Sequence, residues 1–276
     1  MSAGTAQMSA GTAQMSAGTA QMSAGTAQMS AAPILAVQGL GKRFGAFVAL
    51  RDVTVAFPAG QLTAIIGPNG AGKSTFFNLI SGAFAPSSGK VLFEGRDITG
   101  LPQHQFARIG IAKSFQITNV FKQLSAFENV RVAAQMRQAR FEIFKPRAAL
   151  REVAEQAEAL LQRVGLADVQ RQKAGDLAHG QQRALEIAMA LAPQPRLLLM
   201  DEPTAGMSPE ETTLMMDLIT SLAAERTVVL VEHKMKLVMG ICQRLVVLHH
   251  GELLAEGTPA EIRHNTEVKR VYLGQH

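Results

Sequence analysis

Leu62-Thr63-Ala64-Ile65-Ile66 runs directly into Gly67-Pro68-Asn69-Gly70-Ala71-Gly72-Lys73-Ser74. The apolar run is too short for a helix and reads as a buried strand. The segment after it matches G-x-x-x-x-G-K-[ST], and Ser74 to Ser81 is expected to form the next helix. Strand, glycine loop and helix in that order mark a phosphate-binding loop rather than an ordinary turn. Glycines let backbone N–H groups point inward around a β-phosphate, and the helix N-terminus adds positive potential. Lys73 is expected to neutralise β- and γ-phosphate oxygens and Ser74 to offer its hydroxyl to Mg²⁺. The expected nucleotide-binding set is Gly67 to Ser74 with Thr75.

Working outward, Leu197 to Met200 is a second short apolar run, followed by Asp201-Glu202. Carboxylates at the C-terminal end of such a strand stand at the ligand-binding edge of an α/β sheet. Asp201 is expected to hold Mg²⁺ through water. Glu202 is expected to polarise the attacking water, a role worth about 10²–10⁴-fold. His233 closes a third run, Thr227 to Glu232, and belongs on the same edge, in reach of a γ-phosphate. Gln116, after the apolar stretch Ile109 to Phe115, is a candidate for Mg²⁺ or the attacking water. Phe44, before Gly45, offers an aromatic face for adenine. No N-K-x-D run is present to read guanine. Leu177-Ala178-His179-Gly180-Gln181-Gln182-Arg183 precedes a helical stretch. Together with the phosphate loop it points to an ATPase assembled from two copies, loop and glycine run gripping one nucleotide from opposite sides.

The bulk properties narrow the class. Met-Ser-Ala-Gly-Thr-Ala-Gln occurs four times in tandem from Met1 to Gln28. The period is seven, but each repeat offers one Met and a helix-breaking Gly, so it is no coiled coil. Residues 1–31 are expected to be a disordered tail, without the basic start and apolar core of a signal peptide. Met29 is a candidate start, with the repeats an addition before it. Residues 32–276 form one domain by this reading. Hydrophobic content of 47% with 18% charged fits a globular protein. No run approaches the ~20 apolar residues of a membrane span. Cys242 is the single cysteine, so an internal disulfide is excluded and a cytosolic setting is expected. The net charge of +5 is mildly basic. The chain has no Trp and one Tyr, which argues against a nucleic-acid stacking surface.

Ile34 to Gln38, Val53 to Phe57, Lys90 to Phe93 and Leu245 to Leu248 read as further strands. Gln181 to Leu191 and Glu210 to Ala224 read as helices. Arg147 to Val164 has Leu150, Val153, Ala157, Leu160, Leu161 and Val164 on one helical face, with Gly165 placed to end it. Phe127 to Phe144 carries no strand signal, and Phe115 to about Ala174 is expected to be an inserted helical subdomain. Strands alternating with helices imply a mostly parallel sheet covered on both faces.

In this order the motifs resemble those of the nucleotide-binding subunits of ABC transporters, from about Ile34 to the C-terminus. The resemblance implies an α/β fold, a RecA-like P-loop NTPase with an antiparallel β subdomain and an inserted helical subdomain at about 115–175. It implies a Walker A loop at Gly67–Ser74, a Q-loop at Gln116, a signature run at Leu177–Gln181 and a Walker B strand ending at Asp201. Glu202 becomes the catalytic carboxylate, His233 the switch histidine, Ala205–Ser208 the D-loop and Phe44 the aromatic A-loop position. Ser74, Gln116 and Asp201 are the implied Mg²⁺ set; Ala178, Gly180 and Gln181 are implied to touch ATP held by a partner. Ala178 and His179 stand where the common signature has Ser and Gly, so backbone N–H groups near Gly180 must do more of the gripping. Ser208 stands where an Asp is frequent.

Finer features are similar to the LivG-type ATPases of branched-chain amino-acid importers. They include Phe77-Asn78-Leu79-Ile80-Ser81-Gly82, Leu185-Glu186-Ile187-Ala188, Glu232-His233 and Glu256-Gly257-Thr258-Pro259. Urea-importer ATPases share much of this, including Ala205-Gly206-Met207. The resemblance implies peripheral attachment at the cytoplasmic face of the inner membrane. It implies as partners a second ABC ATPase subunit, expected to be a paralogue, two transmembrane permease subunits and, indirectly, a substrate-binding protein. Phe121 and Phe127 are candidates for the permease groove. The alternatives are a urea or short-amide importer ATPase and a soluble, non-transport ABC ATPase.

Overall fold

The computed structural model describes Met1 and residues 33–114, 120–135 and 147–273. The chain divides into two compact units, Met1–Ser30 and Ala31–His276. The tail reading of residues 2–31 lies outside the described residues, and every named strand and helix belongs to the second unit.

Two twelve-residue strands open that unit, β1 (Pro33–Phe44) and β2 (Phe47–Pro58), paired antiparallel. Both outrun the five-residue stretches legible in the sequence. The excess is absorbed by register shifts between Val37 and Leu40 and again before Arg43. Gly39 adopts φ 60°, and its N–H donates to Thr54 Oγ1 at 2.9 Å. A glycine that looks like a strand end is thus a bulge that lets the strand continue. β3 (Leu62–Ile66) is buried at every position and leads through the glycine loop into α1 (Lys73–Ile80). β4 (Ser88–Phe93) and β5 (Arg96–Asp97) complete an antiparallel sheet of order β2-β1-β4-β5.

A short helix α2 (Phe106–Ile109) precedes β6 (Ile111–Ser114). Then come α3 (Ala126–Gln135) and α4 (Arg147–Arg163), with no named strand between β6 and the next helix. Val153, Ala157, Leu161 and Val164 are buried on one face, as the 3.6-residue spacing requires. Gly165 at φ 74° follows in the left-handed conformation that ends helices. The side chain of Leu150 and residues 136–146 lie outside the described set.

α5 (His179–Leu191) leads to β7 (Leu197–Asp201), α6 (Pro209–Ala223) and β8 (Thr227–Val231). α6 is set by sequence at its first turn. Ser208 Oγ accepts from Glu211 N, the Glu211 carboxylate accepts from Ser208 N, and Pro209 occupies the first turn. α7 (Met235–Ile241), β9 (Arg244–His249), β10 (Glu252–Gly257), α8 (Pro259–His264) and α9 (Thr266–Leu273) close the chain.

The second sheet has the order β10-β9-β3-β8-β7-β6. All its pairings are parallel except β9 with β10. That edge pair is a hairpin turned at His250-Gly251, with φ 48° and 80°, the left-handed combination of a tight two-residue turn. Alternate residues of the central strands enter different cores. Ile65, Leu197, Leu199, Val229 and Val231 pack with Phe57, Phe76 and Phe77, toward α1 and the antiparallel sheet. Leu62, Ala64, Ile66, Leu198, Met200 and Leu230 pack with Leu185, Ile187, Ile219 and Leu161, toward α4, α5 and α6. The sheet is covered on both faces, which explains its continuous apolar strands. Each fully buried Leu or Ile contributes about 1.5–3 kcal/mol.

Candidate functional site at the sheet edge

The parallel strands end level. Ile65, Val231 and Asp201 form one cross-strand row, with Ser114, Met200 and Leu230 one residue earlier. The loops beyond β3, β8, β7 and β6 therefore leave one edge together, which is where ligands bind in such sheets. A cavity of about 650 Å³ lies at the opposite edge, lined by Gly60, Arg163, Arg196 and Thr227 among others, and by none of the expected site residues.

Beyond β3 the loop curls over the N-terminus of α1. Gly72 caps that helix at φ 96° without a side-chain hydrogen bond, and no acidic residue sits in the first turn. Its leading amides keep their positive potential for an anion. The Lys73 ammonium donates to the carbonyls of Gly67 at 2.7 Å and Pro68 at 2.9 Å. Burial holds the Lys73 pKa below the ordinary lysine value, and the charge of Glu202 works against that fall. Gly67 is required by space: a Cβ there would stand 2.3 Å from the Leu248 carbonyl oxygen of β9. The β9–β10 turn also grips the loop, as Gly251 N donates to the Ala71 carbonyl at 3.1 Å.

Asp201 ends β7 and is buried. Burial pushes its pKa up, the Lys113 charge pulls it down, and the neighbouring Glu202 pushes it up further. No hydrogen bond to its carboxylate is present among the described residues. A buried carboxylate without a hydrogen bond is costly and suits a cation. Ser74 on α1 adds an exposed hydroxyl. These hard oxygen donors fit Mg²⁺, which takes one or two protein ligands and leaves the rest to phosphate and water.

Glu202 departs from the ordinary backbone, with φ 45°, a conformation that costs a non-glycine residue about 1–3 kcal/mol. Its N–H donates to Val231 O at 3.0 Å, and its carbonyl accepts from Ala205 N at 3.0 Å. β8 stops at Val231, so His233 stands two residues beyond the strand rather than at its end. His233 Nδ1 is 4.0 Å from Glu202 Oε1 and 3.9 Å from Glu232 Oε2. The two residues expected to act on the γ-phosphate are thus side by side. Gln116 lies outside the described residues.

Phe44 belongs to the other sheet, at the tip of the β1–β2 hairpin, and is 45% exposed. It meets Phe84 edge to face, centroids 5.7 Å apart, with the Lys42 ammonium 5.1 Å from its own ring centre. Sequence reasoning missed Phe84 and Lys42, which no local pattern connects to Phe44. β2 reaches the loop itself, for a Cβ on Gly72 would meet Leu50 Cδ2 at 2.9 Å and Ala49 O at 3.0 Å.

Ala178 caps α5 without a side-chain acceptor, and Gln181 Oε1 reaches back to Ala178 N at 3.0 Å. Gly180 N donates to Glu211 Oε1 of α6 at 3.3 Å, so the run leans on the helix that follows the D-loop segment. Among the described residues no hydrogen bond joins 177–183 to 67–74. Ala178 and His179 are exposed.

Comparison with known proteins places the chain in a family. Residues 50–205 match the family described as ABC transporter, and residues 252–276 match that described as branched-chain amino acid ATP-binding cassette transporter. The high-affinity branched-chain amino acid transport ATP-binding protein BraF of Pseudomonas aeruginosa is 43% identical over 252 residues, covering 88% of this chain and 98% of that protein. LivG of Escherichia coli, with the same description, is 40% identical over 252 residues, with the same 88% and 98% coverage. A crystal structure of the ADP conformation of MJ1267, an ATP-binding cassette of an ABC transporter, superposes with a TM-score of 0.76 at 30% identity, covering 88% of this chain and 99% of that one.

Proposed function

The chain belongs to the ABC transporter family of ATP-binding subunits, and on that premise we propose that it powers a branched-chain amino-acid importer. It binds ATP and hydrolyses it to drive transport. The convergence of the phosphate loop, Asp201-Glu202 and His233 at one sheet edge carries the assignment of roles, above all the 4.0 Å approach of His233 to Glu202.

The amides of Gly67–Ser74 and Thr75 cradle the β-phosphate, and Lys73 spans to the γ-phosphate. Ser74 and Asp201, with Gln116, are the residues to hold Mg²⁺, which would neutralise phosphate oxygens as charge builds on them. The Glu202 carboxylate takes a proton from the attacking water as its oxygen bonds to the γ-phosphorus. The bond to the ADP oxygen breaks, and inorganic phosphate leaves. His233 fixes a γ-phosphate oxygen beside Glu202. Phe44 stacks on the adenine.

The run Ala178–Gln181, exposed at Ala178 and His179, serves a second ABC ATPase subunit, turning backbone N–H groups near Gly180 toward the γ-phosphate of ATP held by the partner once Gly180 N–H leaves Glu211. That no hydrogen bond joins the run to its own phosphate loop among the described residues supports that division of labour. ATP then favours the closed pair because it binds that state more tightly. Transmembrane permease subunits receive the motion at the cytoplasmic face of the membrane, and a substrate-binding protein supplies the cargo. Phe121, 55% exposed, is the contact we assign to the permease; Phe127 is partly buried against the core and contributes less.

Glu202→Gln tests the reading. It should retain ATP binding by calorimetry, lose about 10²–10⁴-fold in phosphate release, and accumulate a closed pair. Undiminished turnover refutes the role given to Glu202.

A further inference from the structure

His233 is held from both sides. The residue before it, Glu232, is completely buried. Its Oε1 accepts from the Thr204 hydroxyl at 2.5 Å, and its Oε2 accepts from the N–H groups of His233 at 3.0 Å and Lys234 at 3.3 Å. The residue after it, Lys234, donates Nζ to the Thr204 carbonyl at 3.1 Å and reaches Thr212 Oγ1 at 3.5 Å. Thr204 is itself completely buried and stands two residues beyond Glu202. Both polar ends of one threonine beyond β7 are therefore gripped by the two neighbours of one histidine beyond β8.

We infer that Glu232 and Lys234 are positioning residues for ATP hydrolysis, fixing where the His233 imidazole stands against Glu202. The inference rests on the hydrolytic roles given above to Glu202 and His233. At 232–234 the chain has left the sheet; its backbone ties there are Glu232 N to Ile65 O at 3.4 Å and, into α7, Leu237 N at 3.0 Å and Val238 N at 3.4 Å to Lys234 O, none of them on His233 itself. The His233 ring makes no hydrogen bond among the described residues, so its place is set by its backbone. A carboxylate only accepts, and three donors converge on this one; such charge-assisted bonds are strong, and costly to leave unmade in a dry interior. The same grip continues along the chain. Beyond Thr204 come the turn to Ser208 and then Glu211, which touches Gly180.

Shape and charge can be separated. In Glu232→Gln the amide oxygen can accept from the two backbone N–H groups while the NH₂ donates to Thr204 Oγ1, whose hydroxyl is free to turn. Glu232→Ala leaves all three unpaired. Steady-state ATP hydrolysis is measured on the full chain, at a protein concentration raised until activity per chain no longer increases. Displacing a group by about 1 Å costs up to about 10²-fold. Glu232→Ala should therefore lower kcat about 10- to 100-fold with KM for ATP within about threefold of the parent. Glu232→Gln should stay within about threefold in kcat. Lys234→Met leaves the buried carboxylate intact and keeps the test alive if Glu232→Ala fails to fold; it should lower kcat about 3- to 10-fold.

The deciding comparison is made on a His233→Ala background, where neither Glu232→Ala nor Lys234→Met should lower kcat further. Full multiplicative loss there, or parental kcat in both single variants, overturns the positioning role and leaves the roles of Glu202 and His233 standing. Parental kcat in His233→Ala itself overturns the role of His233 and the positioning inference with it.

Discussion

Gly67→Ala isolates the tightest contact in the nucleotide loop. The added Cβ would lie 2.3 Å from Leu248 O and 3.0 Å from Ala71 Cβ. Relief toward the ordinary separation of about 3.5 Å requires the loop and β9 to part by about 1 Å. Neither side is a flexible side-chain tip. Overpacking of this kind costs about 1–3 kcal/mol. Gly67 also sits at φ 156°, and forcing alanine there adds about 1–3 kcal/mol. The sum is about 2–6 kcal/mol, or about 4–24 °C in Tm for a chain of this size. Gly70 is the control. It adopts φ 78°, but a Cβ there meets nothing within 4 Å, so only left-handed strain of about 1–2 kcal/mol applies. Thermal melts by circular dichroism on the nucleotide-free full chain compare the two. ATP titration calorimetry should show the larger affinity loss in Gly67→Ala, since its amides are displaced by about 1 Å. Gly67→Ala melting no lower than Gly70→Ala would refute the contact as the reason for the glycine.

Two further outcomes follow from buried groups. ATP needs a charged Lys73, which is protonated below its pKa; because burial lowers that pKa, affinity should start to fall below the ordinary lysine value of about 10.4. Lys73→Met should bind weakly with no such pH limb, and parental affinity that holds flat to about pH 10.4 would contradict the shift. Cys242 is buried and its thiol is pushed up to about 12. Alkylation at pH 8 should be about a thousandfold slower in native than in urea-unfolded protein, and equal rates would sink that expectation.

The parallel core was legible because its strands are buried on both faces and read as unbroken apolar runs. β3 begins and ends where Leu62–Ile66 suggested, and β8 begins at Thr227 but stops one residue short of the run to Glu232. β10 escaped notice because Glu252-Leu253-Leu254-Ala255-Glu256 does not alternate, and its register slips between Leu253 and Ala255. His233 lies two residues past the strand end where the sequence put it, whereas the positions of the phosphate loop and of Asp201 were legible because spacing and a strand end carry them. The left-handed backbone of Glu202, the Phe84 partner of Phe44 and the Glu232–Thr204–Lys234 grip were not. Each depends on side chains meeting across loops far apart in sequence, which no local periodicity encodes.

The β9–β10 turn packs against the glycine loop through Gly251 and Leu248. A growing chain emerges from its N-terminus onward. The fuel pocket therefore stays incomplete on the ribosome until β9 and the turn after it have been made. A truncation just ahead of β9 should therefore abolish nucleotide capture although every motif residue remains.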